Sequence, residues 1–448
     1  MASMIFISAC ELEEANINKN DPTEVPVNVL LPFNQERLAD MMAGPLQVMT
    51  GIFMQYYEGI DNHPHPVQSY IVNEAIYVDW EWNDYYNGPM ENLHQMLLKA
   101  EEDSAYYYIG IGKTLMALCL GNVSSLWGDI PYSEALLGSE NLKPKYDSQQ
   151  SIYESIQQLL DDAIIEFQKT YTGLKPAEDD LVFNGDIDQW IKTAYALKAR
   201  YYMHLTKRAN DLSFNPSQMA LNAIANSFVD SSDDLEYQYG FSAAEDNPFY
   251  SYSLTNYIIP NSFYTGLLDD LDDPRKSELF AVVFGQINII GGYFTKNTSP
   301  VHMMTYHELK FIEAEARIRL NASDPEAQNA LQEAVSANLL KISEGSISDT
   351  EITDYLNANA VLTGDFNTDL QTIITQKYIA MYASTESWTD YRRTGFPQLT
   401  PNVGGDHNQN PGGGIPRRMP YCQTERLYNP NVPSPLPTLQ DRFWWDVE

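Results

Sequence analysis

Two glutamates, Glu308 and Glu315, lie seven positions apart in the segment HELKFIEAEARIRL, residues 307–320. On a helix this spacing places both carboxylates on one face, together with the apolar Phe311 and Ile318. Paired carboxylates can hydrolyse glycosidic bonds, with one of them serving as a general acid of raised pKa. Carboxylates on a partly apolar face equally need cationic partners. The segment therefore allows either a glycosidase site or buried ion pairs.

Cationic partners for these glutamates are scarce, because the chain has 27 Lys and Arg residues against 61 Asp and Glu. The doublet Arg392-Arg393 lies in ESWTDYRRTGFP and the doublet Arg417-Arg418 in IPRRMPY, each beside aromatic residues and proline. A guanidinium that leaves water needs carboxylates and aromatic faces. We predict that Arg392 and Arg393 form structural ion pairs with the two glutamates and lock the C-terminal part onto a helical body. Solvated turn charges are the alternative. The ion pairs would keep both acids ionised, which disfavours catalysis.

The sequence lacks the signatures of common enzyme classes: it has no GxSxG, HExxH, P-loop or dinucleotide-binding motif. His63 and His65 flank Pro64, which favours a turn over a metal site. The acidic run LDDLDDP, residues 268–274, lacks the alternating spacing and the glycine of a calcium loop. We therefore expect a protein without catalytic residues, cofactor or metal.

The net charge of −34 at neutral pH limits the classes of partner. Phosphate groups would be repelled, which argues against a nucleic-acid partner. Neutral sugars, peptides, cations and basic proteins are all compatible with this charge. The three cysteines, Cys10, Cys119 and Cys422, form neither a disulfide framework nor a zinc motif.

Aromatic residues with polar tips are concentrated in stretches that we predict to be non-helical loops, around 56–86 and within 237–304. Sugar rings stack their C–H faces on aromatic planes, while Asn, Asp and His bind the hydroxyl groups. These loops are therefore predicted to bind a glycan. The candidate ligand-binding residues are Trp80, Trp82, Asn83, Tyr85, Tyr250, Tyr252, Asn256, Tyr257 and His65. Alternatively, the aromatic side chains pack the loops onto the body, and the i, i+4 spacing of Trp82 and Tyr86 favours such packing for that pair.

The elements that must position these residues are helical by their periodicity. Tyr108, Ile111, Leu115 and Leu118 fall on one face of a helix, and Asp186 is placed to cap another. Further helices are predicted at 306–320, 325–342, 349–358 and 368–384. The expected fold is mainly α, with irregular tetratricopeptide-like helix pairs that support a loop-rich binding region. Residues 34–448 are expected to form a single domain, whose part 400–448 is an extended C-terminal wrapping.

The first ten residues, MASMIFISAC, are apolar and place small residues directly before Cys10. This pattern resembles a bacterial lipobox, in which the cysteine is lipidated. The following residues are polar and suit a tether. We therefore expect 1–33 to be a lipoprotein N-terminus and tether; the alternative is a disordered terminus with a chance cysteine. No later run reaches the roughly 18 apolar residues of a membrane span, so a lipid on Cys10 would be the only anchor.

Together, these motifs resemble the SusD/RagB family of nutrient-binding outer-membrane lipoproteins. The resemblance depends on the order and spacing of several segments, each weak alone. The segments are ISAC (7–10), LWGDIPYSEAL (126–136), NGDIDQWIKTAYALKAR (184–200), DDPR (272–275), TYHELKFIEAEAR (305–317), WTDYRRTGFP (388–397), IPRRMPY (415–421) and FWWD (443–446). Within this family, the chain is most similar to a subgroup with an RRTG.P motif. The stretch between Arg275 and Thr305 is shorter than in that subgroup, and ligand-binding loops of the family often vary in this region.

The resemblance implies a surface-exposed outer-membrane lipoprotein without catalytic activity. Such proteins capture oligosaccharide and deliver it to a SusC-like TonB-dependent transporter. It also implies a helical fold with tetratricopeptide-like pairs, in which the arginine doublets belong to the scaffold and the aromatic loops form the site. A peptide or another non-sugar nutrient is an alternative ligand. An α-helical glycoside hydrolase that uses Glu308 and Glu315 is a further alternative.

Overall fold

Several helices of this chain begin at a residue whose polar side chain satisfies the first free backbone N–H groups. In the computed structural model, which describes residues 25–240, 245–283 and 285–448, Asp186 accepts hydrogen bonds from the backbone N–H groups of Asp188 and Gln189. Ser148 and Asn215 cap two other helices in the same way. Side-chain caps of this kind stabilise a helix by about 1 kcal/mol each.

The described residues form helices α1–α18 and short strands β1–β6. Helices α1–α9 span Val27–Ala43, Pro45–Phe53, Pro64–Gln68, Asp79–Tyr85, Glu91–Glu102, Tyr106–Trp127, Gln149–Phe167, Ile187–His204 and Pro216–Ile224. Helices α10–α18 span Pro248–Ser253, Ser262–Asp270, Lys276–Leu279, Tyr306–Leu320, Pro325–Ser343, Asp349–Asn359, Phe366–Ala380, Glu386–Thr394 and Gln423–Tyr428. Strands β1–β6 span Tyr57–Gly59, Leu235–Tyr237, Ile258–Pro260, Ala281–Val283, Gln286–Asn288 and Val301–Met304.

Consecutive long helices pack against each other, which gives a mainly α, tetratricopeptide-like scaffold as predicted. Helix α6 packs between α5 and α7, α8 contacts α7 and α9, and α13 contacts α14 and α16. The stripe predicted on α6 (Tyr108, Ile111, Leu115 and Leu118) is buried in the main core. A second apolar cluster joins α13 to α14, α15 and α16. The strands form three antiparallel pairs: β1 with β3, β2 with β6, and β4 with β5.

Helix α1 begins at Val27, before residue 34, the predicted start of the domain, and Val27 and Leu31 are buried in the core. The division into tether and domain stays a prediction. One expectation about secondary structure is wrong. The stretch 56–86, predicted to be non-helical, contains α3, a π-helical turn at Glu74–Val78 and α4. The side chain of Asn73 caps this turn, accepting a hydrogen bond from the backbone N–H of Ile76 at 3.1 Å.

The C-terminal part from residue 400 contains two short helical elements, a 3-10 turn at Pro411–Gly413 and helix α18, and is otherwise without regular secondary structure. Its apolar side chains, among them Met419, Phe443 and Trp445, are buried in the main core. The lipidation site predicted at Cys10 and most of the predicted tether lie outside the described residues. Among those residues, α6 is long and apolar enough to cross a membrane, but 94% of its most apolar window is buried inside the protein.

Candidate functional site: an aromatic cavity

A short strand pair joins the two aromatic-rich segments of the chain. Strand β1 pairs with β3 so that Tyr57 lies opposite Pro260 and Gly59 opposite Ile258. Helices α3 and α4 follow β1 in the chain, and α10 precedes β3. The pairing therefore brings α3 and α4 close to α10, although these elements are far apart in sequence.

A cavity of about 410 Å³ lies among these elements; we call it the aromatic cavity. Val48, Met49 and Ile52 of α2 and Val67 of α3 contribute apolar wall. Pockets that hold small ligands typically have volumes of roughly 300–1,000 Å³ and mostly apolar walls. The aromatic cavity has the size and the lining of such a pocket.

Aromatic rings and a histidine form much of the remaining lining: Tyr77, Trp80, Tyr252 and His63. Trp80 is 71% exposed. The rings of His63 and Tyr77 meet edge to face, with their centroids 5.5 Å apart. Burial, and to a smaller extent the neighbouring hydroxyls of Tyr257 and Tyr77, raises the pKa of Tyr252, so that its hydroxyl keeps its proton as a hydrogen-bond donor. The lining thus combines aromatic planes with polar tips.

Glu81 is the one carboxylate among the described residues that line the aromatic cavity. It is 8% exposed. Nearby Arg37 pairs with Asp84, with Nη2 2.9 Å from Oδ2. Within the described part of the chain, no ion pair or hydrogen bond holds the Glu81 carboxylate. Burial and the charge of Asp84 raise the pKa of Glu81 to about 7, against the opposing effect of Arg37.

Trp80 and Tyr252 line the aromatic cavity, where their contact with a ligand stays a prediction, but two other candidates are buried. Trp82 is 3% exposed, and its ring packs against those of Trp127 and Tyr86 at centroid distances of 5.2 and 4.9 Å. Tyr85 is also buried and packs on the ring of Trp127. Because neither side chain can reach a ligand in this arrangement, the prediction that Trp82 and Tyr85 bind ligand is wrong.

Five other candidates do not line the aromatic cavity. Tyr257 lies beside it, half-buried, while His65 is exposed on α3 and Asn83 is half-exposed on α4. Tyr250 is half-buried on α10, and Asn256 is exposed in the turn before β3. Contact of these residues with a ligand larger than the cavity stays a prediction.

Sequence reasoning missed Tyr77, Glu81 and His63 as lining residues. A signal for the first two was present, because Tyr77, Trp80 and Glu81 occupy positions i, i+3 and i+4. This spacing places three side chains on one helical face. The i, i+3, i+4 spacing has no meaning in a non-helical loop, which is what we predict from the sequence for residues 56–86.

The predicted pairing of glutamates with arginines holds for one pair. Arg393 of α17 makes two hydrogen bonds to Glu315 of α13, with Nη1–Oε1 and Nη2–Oε2 distances of 2.5 and 2.6 Å. Arg319 adds a third hydrogen bond, from Nε to Oε1, at 2.6 Å. Although burial opposes it, the charges of Arg393 and Arg319 lower the pKa of Glu315 to about 2.

Glu308 and Arg392 do not pair as predicted. Glu308 accepts hydrogen bonds from Nε and Nη2 of Arg200 on α8, at 2.8 and 2.5 Å, because α8 packs directly on α13. Arg392 has no carboxylate partner in the described part of the chain. Its Nη1 donates to the carbonyl oxygen of Ser125 at 2.7 Å, and its guanidinium lies 3.8 Å from the ring centroid of Trp388. Burial lowers the pKa of Arg392 to about 9, only partly offset by Asp446.

Because of these contacts, Glu308 and Glu315 do not form the pair of catalytic carboxyl groups that a glycosidase site would use. Each is about 1% exposed and held by a bidentate arginine, and neither lines the aromatic cavity. Most glycosidases use two carboxyl groups that flank the same glycosidic bond. The described lining of the aromatic cavity offers Glu81 alone.

Comparison with known families gives a match over most of the chain. A model of SusD-like proteins, described as "Starch-binding associating with outer membrane", matches residues 19–422. The chain belongs to the SusD-like family. A comparison with curated protein sequences finds no significant match.

Solved structures of SusD-like proteins superpose on this chain over nearly its whole length. A SusD/RagB family protein from Bacteroides thetaiotaomicron has 26% sequence identity and a TM-score of 0.80, with coverage of 94% of this chain and 99% of the other. A protein described as chitin-binding has 23% identity and a TM-score of 0.80, covering 94% and 100%. A chitin-binding SusD homologue from Flavobacterium johnsoniae has 19% identity and a TM-score of 0.75, covering 94% and 97%. Because the last two structures are less than 25% identical to this chain, their similarity shows a shared fold and nothing more.

Three of the described segments that carry the SusD-like resemblance, 126–136, 388–397 and 415–421, contact one another in the scaffold. Trp127 donates from its indole Nε1 to the carbonyl oxygen of Pro420 at 3.0 Å, and Trp388 donates to that of Pro416 at 2.8 Å. Arg418 donates from Nη2 to the carbonyl oxygen of Trp127 at 2.5 Å. The motifs therefore hold distant parts of the chain together, while the aromatic cavity is built from residues outside them.

Proposed function

We propose that this SusD-like protein captures a glycan in the aromatic cavity. The observation that carries the proposal is the 71% exposed Trp80, which lines a cavity of about 410 Å³ together with Tyr77 and Tyr252. An aromatic ring that borders a concave, mostly apolar pocket is typical of ligand-binding sites, and aromatic planes match the C–H faces of sugar rings. The starch-binding description of the family and the chitin-binding names of two structural relatives support this ligand class.

We further propose that the protein acts at the outer membrane without catalysis. In this proposal a lipid on Cys10 anchors it at the cell surface, and it delivers the glycan to a SusC-like TonB-dependent transporter. The family description, which names association with the outer membrane, supports the location. The ionised, arginine-bound state of Glu315 supports the absence of hydrolysis.

Calorimetric titration of the purified protein with a panel of neutral and charged oligosaccharides tests glycan capture. We expect saturable binding that weakens on the order of tenfold or more in Trp80→Ala, because an aromatic anchor at a binding site typically contributes at least about 1.4 kcal/mol. Tyr428→Ala is the matched control, since Tyr428 is also 71% exposed but lies on α18 outside the lining. Equal binding by the two variants, or release of reducing ends during incubation, would contradict the proposal.

A further inference from the structure

The Glu81 carboxylate lines the aromatic cavity without an ion pair or hydrogen bond to any described residue. Glu81 is 8% exposed, and Arg37, whose charge acts on it from a distance, pairs with Asp84 at 2.9 Å. Buried carboxylates are normally paired or hydrogen-bonded, because the loss of water around an isolated charge costs several kcal/mol. A carboxylate that faces a ligand-sized cavity can obtain its partner from the ligand.

The rest of the described lining supplies no strong cation. It includes neither lysine nor arginine, and His63, its one histidine, is exposed to water. No described residue of the lining can therefore neutralise the Glu81 carboxylate; besides a proton from water, a cationic group of the ligand can do so. The net charge of −34 acts in the same direction, since it attracts cations and repels anions.

The ring systems beside Glu81 also favour a cation. Trp80, Tyr77 and Tyr252 line the same cavity as the carboxylate. The face of an aromatic ring, tryptophan above all, attracts ammonium groups within about 6 Å of the ring centroid. A carboxylate surrounded by aromatic rings therefore suits a ligand that carries an ammonium group on a ring with apolar C–H faces and hydroxyl groups.

From this arrangement, we infer that the aromatic cavity takes a glycan through an amino sugar whose amino group is unacetylated and protonated, with the ammonium group at Glu81 and the sugar ring on the aromatic side chains. The inference rests on the proposed glycan capture and narrows its ligand class. It differs from recognition of fully acetylated chitin, the polymer that the names of two structural relatives mention.

The competing arrangement is a protonated Glu81 that donates a hydrogen bond to a neutral sugar. The raised pKa of Glu81, about 7, allows both protonation states near neutral pH. The two arrangements differ in their response to salt and to removal of the charge. An ion pair weakens as salt is added and when the carboxylate is replaced by an amide, whereas a hydrogen bond to a neutral sugar responds little to salt.

The test is calorimetric titration of the full chain at neutral pH with three hexasaccharides that share a β-1,4 backbone: chitosan, chitin and cellulose fragments. The expected result is that the chitosan fragment binds at least about tenfold more tightly than the other two. Its affinity should fall as salt rises from about 50 to about 500 mM, while the affinities of the other two change little. These measurements need only the wild-type protein.

Variants then assign the preference to Glu81. Glu81→Gln should abolish the preference for the chitosan fragment and leave binding of the neutral fragments in place, whereas Trp80→Ala should weaken all three. Asp61→Asn is the control for general electrostatics, because Asp61 is exposed and lies outside the lining.

Two results would overturn the inference. If the three fragments bind equally, or if the neutral fragments bind more tightly, the amino-sugar preference is wrong while glycan capture stands. If none of the three binds, the inference is also wrong, and the wider oligosaccharide panel decides separately whether glycan capture survives.

Discussion

Burial of Glu81 in the lining of the aromatic cavity makes the stability of the folded protein depend on pH. Its carboxylate is buried, and the neighbouring Arg37 is held by Asp84. Burial and the charge of Asp84 raise the pKa of Glu81 from its ordinary value of 4.5 to about 7. The folded protein therefore holds this proton more tightly than the unfolded chain does. The resulting stability is complete below pH 4.5 and is lost as the pH rises through 7.

Replacement of Glu81 by glutamine should remove this pH dependence. Relative to Glu81→Gln, the wild-type protein is expected to lose on the order of 2–3 kcal/mol of unfolding free energy between about pH 5 and about pH 8, at about 1.4 kcal/mol for each pKa unit. Urea unfolding of both proteins at the two pH values measures the difference. Glu101→Gln is the control, since Glu101 is exposed on α5. If the difference in unfolding free energy between the wild-type protein and Glu81→Gln were the same at both pH values, the Glu81 carboxylate would not be both buried and without a partner.

At the scale of elements, the sequence allowed prediction of the long helices but not of the short ones that build the site. Helix α6 repeats apolar residues over 22 positions, enough to reveal its period, and its predicted stripe is buried. Helices α3 and α4 have 5 and 7 residues, too few to show one.

The sequence also allowed prediction of some residues of the candidate site and not of others. Trp80 and Tyr252 stood out by residue type alone. The i, i+4 spacing groups Glu81 with Tyr77 beside Trp80, but only the pairing of β1 with β3 shows that this face lines a cavity. The partner of Glu308 was equally out of reach, because the choice of Arg200 over the arginine doublet depends on the packing of α8 against α13.

The position of α3 against β1 should depend on the absence of a side chain at Gly59. A Cβ atom there would lie 2.1 Å from the carbonyl oxygen of Pro64, a backbone atom that cannot yield unless α3 moves. Gly59→Ala is expected to lower the unfolding free energy by about 1–3 kcal/mol and to weaken glycan binding, because α3 forms part of the cavity wall.

Gly266→Ala is the matched control for this substitution. Gly266 lies within α11, and a Cβ atom there would meet nothing within 4 Å. Alanine should therefore stabilise that helix by up to about 1 kcal/mol without an effect on binding. Urea unfolding and calorimetric titration of both variants make the comparison. If Gly59→Ala matched Gly266→Ala in both measurements, the close approach of β1 and α3 would not matter to the site.

At the scale of the whole molecule, the C-terminal segment from residue 400 braces the site from outside. The side chain of Gln409 donates to the carbonyl oxygen of Val72 at 2.7 Å and accepts from its N–H at 3.1 Å. Thr424 donates from Oγ1 to Oδ2 of Asp79, the first residue of α4, at 2.9 Å. These contacts join positions separated by 337 and 345 residues. These hydrogen bonds therefore attach Val72 and the start of α4, which lie next to cavity-lining residues in the chain, to the C-terminal segment.

The anchor of this segment is Asp446, which is fully buried near the end of the chain. Its carboxylate accepts hydrogen bonds from Nζ of Lys207 at 3.0 Å and from Nε of Arg417 at 2.6 Å. Removal of one partner from a buried ion pair costs roughly 3–5 kcal/mol. Because Lys207 and Arg417 retain some access to water, we expect Asp446→Asn to lower the unfolding free energy by about 2–4 kcal/mol.

Urea unfolding of Asp446→Asn beside Asp441→Asn measures this contribution. Asp441 belongs to the same segment but is exposed, and it accepts a hydrogen bond from the backbone N–H of Thr438 at 2.6 Å, so its loss should cost less than about 1 kcal/mol. Glycan affinity should fall in Asp446→Asn and not in Asp441→Asn, since the loosened segment also carries the contacts to Val72 and Asp79. If Asp446→Asn lowered the unfolding free energy but left the glycan affinity unchanged, the segment would stabilise the core without supporting the aromatic cavity.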